Sequence, residues 1–456
     1  MADRPVRIID ATLREGAQAP GVAFTVEQSG EIATLLVASG VDMIECGHAA
    51  ISREERDRIK ATIIAAGDVP VLTHARATRG DVDAVLETVV EWVGVFLSFN
   101  EYSRRSRMVA SSLDDLLAMS QYTVSYAVDS GLRVRFTVED ASRTDPDTLE
   151  RAFTAVVTAG ADRICFADTV GIAEPADVAA AAELLRRRFP DTPLEVHLHN
   201  DRGLALANTL AAVDAGADWV SCSVNGLGER AGITDLVVLL ANLHVRAQRP
   251  IADALALRRA SQLVAAFSRV PMDPLRSVVG RHAFTHTSRL HRRAVSIEPM
   301  AYSWIDPAEL GTMAALAEPR RWSLADLVIE PQVRSAAELP HHRAGPGDRY
   351  LLIDESELDG CGQYCIVRRI PEGDPGPGHV DTHRHNVDSL FVFLGSAEDL
   401  TGLRVQVTVG DEEQTLNAPR SVFIPAGVRH SYRVLDGGGL FFNVVLAGTY
   451  ARSLLE

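Results

Sequence analysis

Short apolar runs recur through the first half of the chain: "VRIIDATL", "VDMIECG", "PVLTHAR", "WVGVFLSF", "RVRFTVED", "RICFADT", "LEVHLHN" and "WVSCSVNG". Each is apolar almost throughout, as strands covered on both faces are. Between them lie stretches with helical spacing and abundant Ala, Leu, Glu and Arg, such as "TVEQSGEIATLLVASG", "LDDLLAMSQYTVSYAVDSG" and "EPADVAAAAELLRRRF", which predict helices. Several close on a Gly just before the next strand, in "ASGVD", "DSGLR", "TAGAD" and "DAGAD", a position suited to a left-handed helix cap. Strand and helix alternating in this way predict an α/β fold, a parallel sheet closed into a (β/α)8 TIM barrel. A doubly wound open sheet is the alternative.

The barrel is expected over residues 1–249, followed at 250–340 by a helical accessory segment containing "FTHTSRLHRRAV" and "PMAYSWIDPAELG". Residues 345–456 change character. Short runs such as "YLLIDE", "QYCIVRRI", "SLFVFLG", "LRVQVTVG", "SVFIPAG" and "GLFFNVVLAG", separated by Gly, Pro and Asp turns, predict an all-β domain.

At 456 residues the chain exceeds one compact core, and its 46% hydrophobic content supports more than one. A formal charge of −16, from 61 acids against 45 bases, argues against nucleic acid or an anionic membrane as partner. The start "MADRPVRII" has no secretory pattern and no apolar run reaches membrane-spanning length, so a cytoplasmic protein is expected. The five cysteines are too scattered for a disulfide framework. Cys46, Cys165 and Cys222 lie in apolar runs and are expected to pack as small hydrophobes, while the spacing of Cys361 and Cys365 carries little weight alone.

In such barrels the chemistry gathers at the C-terminal ends of the strands, and here those ends are polar. They carry Asp10, Arg14, Glu15 and Gln18; Glu45 and His48; Arg135, Thr137 and Glu139; Asp168 and Thr169; His197, His199 and Asn200; and Asn225. His197 and His199, two apart on a strand, face the same side and can grip one ion. With Glu15 across the mouth they make a mixed nitrogen and oxygen site for a divalent cation. Any one strand-end His is more often a hydrogen-bonded packing residue. The conjunction of an H-x-H pair, a facing acid and an adjoining Arg favours a functional site. "GLGERAG", residues 226–232, adds a Gly-rich turn at the last strand.

"DATLREGAQ", "RFTVEDASR", "ADTVG", "HLHND" and "NGLGERAGIT", in this order over roughly residues 5–315, resemble the motif series of the metal-dependent DRE-TIM family, in its homocitrate synthase and isopropylmalate synthase branch. Glu15 after Arg14 leans towards the homocitrate synthase side. The resemblance implies a divalent metal (Zn, Mn or Mg) on Glu15, His197 and His199, with Asn225 in or near the coordination shell. Arg14 and Gln18 would contact the 2-oxo acid or stabilise the developing alkoxide. It also implies Arg135, Thr137 and Thr169 on the substrate carboxylate; His48, at the end of the second strand, is an additional residue at the mouth. Arg104 aligns with an arginine for a distal carboxylate, and Thr78 stands where a histidine is expected after the third strand. His291, Tyr302 and Glu139 match the residues that deprotonate the methyl group of the acyl thioester. In the family such residues reach the neighbouring subunit's site, so a homodimer is implied.

"GHVDTHRHNVDSLFVFLG" with "SVFIPAGVRH" resembles the two motifs of a cupin barrel, implying a possible second transition metal on His383, His385, His430 and Asp388. The expected activity is condensation of acetyl-CoA, or another acyl-CoA, with an acidic 2-oxo acid to a 2-hydroxy polycarboxylate. The alternatives are a lyase cleaving a 2-hydroxy acid or hydroxyacyl-CoA on the same metal, and a metabolite sensor without catalysis. A lyase of this family would carry a Cys-bearing loop, and no Cys falls at residues 226–240.

Overall fold

The computed structural model describes residues 6–316, 327–341, 347–358, 361–373 and 380–455. The chain divides into two compact units: Met1–Val264 with Met272–Ala317, and Ala265–Pro271 with Glu318–Glu456.

In the first unit, strands β1 (Arg7–Asp10), β2 (Met43–His48), β3 (Val71–Arg76), β4 (Trp92–Ser98), β5 (Arg133–Glu139), β6 (Arg163–Asp168), β7 (Leu194–Leu198) and β8 (Trp219–Cys222) follow one another around a closed parallel barrel. β8 returns to β1 with Asp10 opposite Cys222, so the open sheet is excluded. Helices begin where side chains cap their free N–H groups. Thr25 with Gln28 and Ser112 with Asp115 form capping boxes at Val26–Ala38 and Leu113–Asp129. Gly40, Gly131, Gly160 and Gly216, the glycines after the helices, have φ of 83°, 87°, 99° and 97°; a side chain there would be strained, which is why glycine ends these helices.

The barrel interior is ionic where aliphatic layers are usual. Arg135, 1% exposed, donates to Glu195 at 2.7 Å and to Glu45 at 2.8 Å. Arg163 Nε lies 3.2 Å from Glu195, and its guanidinium stacks 4.0 Å from the Trp219 ring and 4.8 Å from Trp92. Gly94 on β4 makes room for this layer: a Cβ there would meet Arg135 Nη2 at 2.5 Å. Beside it pack Ile9, Met43 and Leu72.

After the barrel come helices Ala254–Ser268 and Arg289–Val295 and a short parallel pair, β9 (Thr285–His286) with β10 (Ala315–Leu316). The second unit holds β11 (Gln332–Arg334), β12 (Arg349–Ile353), β13 (Tyr364–Ile370), β14 (Ser389–Gly395), β15 (Leu403–Val409), β16 (Glu412–Asn417), β17 (Arg420–Ile424), β18 (His430–Gly437) and β19 (Gly439–Val445). They form antiparallel sheets in the orders β11-β12-β13-β19-β14-β17 and β16-β15-β18. β14 alternates buried and partly exposed positions, and its Phe391 and Phe393 share one core with Val405, Tyr432 and Phe441. Among the described residues no helix is long and apolar enough to cross a membrane.

Replacing Glu195 by Ala leaves Arg135 short of one partner and Arg163 beside no carboxylate. Breaking a buried pair in this way is expected to cost about 3–5 kcal/mol, read as a lower urea midpoint. A loss within about 0.5 kcal/mol, the range of ordinary surface changes, would contradict the ionic layer.

Candidate active site

The C-terminal ends of the strands surround a pocket of about 320 Å³. His197 on β7 and His199 just beyond it are 6% and 5% exposed, and Glu15, in the turn after β1, is 2% exposed. Glu15 Oε2 lies 3.8 Å from His197 Nε2, and Oε1 lies 3.9 Å from His199 Nε2. All three ligand atoms fall within 4.8 Å of one another. Two donors bound to one ion at about 2.1 Å are separated by at most about 4.2 Å, so both carboxylate–imidazole distances fit a shared cation. His197 Nδ1 lies 2.9 Å from the Ser221 hydroxyl on β8, which fixes the ring, and His199 Nδ1 is buried without a hydrogen-bond partner among the described residues.

The electrostatics favour the ligand forms. Burial alone would raise the Glu15 carboxyl, but the adjacent Arg14 guanidinium holds it below the usual carboxylate range. Burial, aided by Arg14, pushes His197 well below its ordinary value, and burial likewise lowers His199. A carboxylate and two neutral imidazoles are what a divalent ion requires. Arg14 forks between Glu15 and Glu45, the latter at 3.1 Å. The Gly-rich turn holds Glu15 from the other side, since Glu229 N donates to its Oε1 at 3.1 Å. Only glycine permits that turn at 232, where φ is 79° and a Cβ would fall 1.9 Å from Gly226 O.

Gln18, His48, Thr137, Glu139 and Thr169 also line the pocket. His48 Nε2 pairs with Asp81 at 2.7 Å, and Arg107 donates to Glu139 at 2.7 Å. Thr169 accepts from Asp140 N at 2.8 Å, leaving its proton for a ligand. Sequence reasoning missed His74. It lies on β3 and lines the pocket, its ring stacked 4.9 Å from Phe96 and Nε2 3.0 Å from Glu45. Burial and the nearby Arg14 lower it to about 3, so it is neutral. Thr78, where a histidine was expected, instead caps the helix Arg79–Leu86. Alternation along β3 could have pointed to His74, which faces the same side as Leu72.

Four further expected site residues have contacts of their own. Asn225, in a left-handed conformation with φ 59°, donates to Ser261 O at 2.8 Å and accepts from the Ser261 hydroxyl at 2.5 Å. Arg135 also lines the pocket, where its terminal nitrogens pair with Glu195 and Glu45 and so fix Glu45 in place, while its Nε is buried without a hydrogen-bond partner among the described residues. Arg104, in the short helix Glu101–Ser106, is not part of the pocket wall, and Arg107 past its end makes the contact with Glu139. Asp388 is not among the close ligand atoms of the second unit's histidines, and its Oδ1 accepts from Ala426 N at 2.9 Å.

His291 and Tyr302 stack on each other, ring centres 3.8 Å apart, but do not line the pocket within this chain. His383, His385 and His430 are all buried, with ligand atoms within 4.8 Å of one another.

A model of the HMGL-like family matches residues 5–264. A homocitrate synthase AksA from Methanopyrus kandleri is 36% identical over 379 residues, 81% of this chain and 95% of the relative. A homocitrate synthase from Saccharolobus islandicus is 37% identical over 310 residues, 67% of each chain. Among solved structures, an HMG-CoA lyase from Bacillus subtilis superposes with a TM-score of 0.53 at 23% identity, covering 59% of this chain and 95% of that one; this is a likeness of fold.

Ser221→Ala removes the hydroxyl that orients His197 and is expected to weaken divalent-cation binding in the barrel about 10- to 100-fold, measured by calorimetric titration. Unchanged affinity would count against His197 as a ligand.

Proposed function

The chain belongs to the HMGL-like family, and on that premise we propose that it is an acyltransferase of the homocitrate synthase type, condensing the acetyl group of acetyl-CoA with an acidic 2-oxo acid. The observation that carries this reading is the Glu15, His197 and His199 cluster beside the Arg14 fork, at the mouth of a barrel whose relatives are homocitrate synthases. A divalent cation held there would bind the 1-carboxylate and polarise the ketone.

The residues of the chain do the rest. Arg14, fixed by Glu45, directs charge at the ketone oxygen where negative charge accumulates. Gln18 and the hydroxyls of Thr137 and Thr169 orient the oxo acid. His291 with Tyr302, supplied by the neighbouring subunit of a homodimer, and Glu139 remove a proton from the thioester methyl group. The carbanion attacks the ketone carbon, and hydrolysis of the thioester frees CoA as its thiol.

Charge balance supports an acidic substrate. Arg14, Arg135 and Arg163 are matched by Glu15, Glu45 and Glu195, so the two charges of a bound divalent cation are left over. A 2-oxo acid with two carboxylates neutralises both. The second unit is read as a cupin-like barrel, with His383, His385 and His430 holding a second cation.

Thiol release that requires both acetyl-CoA and a 2-oxo acid is expected, with dicarboxylic oxo acids preferred over branched aliphatic ones. Release without an oxo acid, or none across the panel, would refute condensation. His291→Ala is expected to lower kcat about 100- to 10,000-fold while barrel metal content stays constant. Mixing His291→Ala with Glu15→Ala is expected to give activity well above the sum of the two alone, through hybrid sites; no such gain would refute sharing between subunits.

A further inference from the structure

The histidines of the second unit have their protons assigned by their surroundings. His383 Nδ1 lies 2.8 Å from Asp381 O, and His430 Nδ1 lies 2.9 Å from Val428 O. A carbonyl only accepts, so each of these nitrogens carries the proton. His385 Nδ1 lies 2.8 Å from the Ser453 hydroxyl, whose own proton is given to Tyr450 O at 2.6 Å; here too the imidazole must donate. With each Nδ1 proton directed at an acceptor of its own, Nε2 is the nitrogen each ring leaves to a ligand, and the ligand atoms of the three rings lie within 4.8 Å of one another.

That arrangement is unfavourable by itself. His383 Nε2 and His385 Nε2 stand 3.2 Å apart, a hydrogen-bonding distance with no proton to share. His430 Nε2 is buried without a hydrogen-bond partner among the described residues. The Tyr450 hydroxyl, 2.8 Å from His383 Nε2, can relieve one ring by donating. A cation relieves all three. Ordinary metal-binding histidines fix the second nitrogen in the same way, through a carbonyl or hydroxyl behind the ring.

Position points to the fourth donor. Asp388 is not one of the group of close ligand atoms, and its Oδ1 accepts from Ala426 N at 2.9 Å. Tyr450 is 4% exposed and belongs to the short terminal helix Tyr450–Ser453, whose other end supplies the hydroxyl behind His385. Donors bound to one ion at about 2.0–2.1 Å are about 2.9 Å apart at a right angle and about 3.4 Å apart at a tetrahedral angle. The Tyr450–His383 and His383–His385 separations of 2.8 and 3.2 Å approach these values.

We propose that Tyr450 is the fourth ligand of a transition-metal centre formed with His383, His385 and His430, a proposal that rests on reading the three histidines as a cation site. On binding, the phenol proton is released to solvent and the oxygen becomes an anionic ligand. Three imidazoles and a phenolate suit ferric iron.

The test uses the full chain, stripped by chelator and reloaded with iron in air. A visible phenolate-to-iron charge-transfer band is expected. Tyr450→Phe, which keeps the ring and its packing, is expected to abolish the band and retain iron, whereas His385→Ala is expected to lose both. Iron-loaded protein without the band, or with a band unchanged in Tyr450→Phe, overturns Tyr450 as ligand and leaves the histidine site standing. Iron content unaffected by His385→Ala overturns the histidine site itself. Tyrosinate vibrations in resonance Raman spectra of the unmodified protein decide the same point should Tyr450→Phe fold poorly; their absence overturns the ligand.

Discussion

The guanidinium of Arg14, shared between Glu15 and Glu45, joins the pocket to the core of the barrel. Glu45 is held in turn by Arg135, Arg135 by Glu195, and Glu195 lies against Arg163, which rests on Trp219 and Trp92. Charges thus alternate from the barrel floor to the Glu15 carboxylate. All are buried except Arg14, which is partly exposed at the pocket, and a buried charge is tolerated only with a partner in good geometry. No member can shift without stranding the next. The position of Glu15 is therefore a property of the packed interior as well as of the loop that carries it.

This constraint also explains what the interior gives up. An aliphatic core would contribute more stability for its volume, since burying paired ions roughly cancels their attraction. In exchange, Arg14 meets the pocket already oriented, and its charge need not reorganise as a reaction proceeds. The glycines serve the same end. Gly94 admits the Arg135 guanidinium, and Gly232 lets the turn at 226–232 close so that the Glu229 N–H faces Glu15.

The barrel was legible because strand order in such folds follows sequence order, and the apolar runs and helix-ending glycines are local signals. The cluster of Glu15, His197 and His199 was legible for a related reason: an H-x-H pair on a strand has only one way to face. What escaped depends on long or turned side chains. Arg135 could be read as pointing inward, but not as already paired, because its partners Glu45 and Glu195 lie 90 and 60 positions away. Arg104 and Arg107 differ by most of a helical turn, and where the short helix Glu101–Ser106 stops decides which of them meets Glu139. The left-handed backbone of Asn225, which turns its amide to Ser261, is likewise invisible in the motif. Tyr450 had no motif to announce it, 67 positions from His383.

The two H-x-H pairs show how little of a site resides in the pair itself. In both, a serine hydroxyl lies behind one ring, Ser221 for His197 and Ser453 for His385. The third partner makes the difference. Glu15 brings a negative charge, held low by Arg14, and stands beside a pocket, so an ion there keeps positions open for a chelating substrate. His430 is a third neutral ring, and Tyr450 lies over the group. One arrangement is charged and open, the other neutral and covered. Identical spacing on a strand therefore specifies only that two imidazoles converge; the chemistry follows from the charge and access that distant residues impose on them.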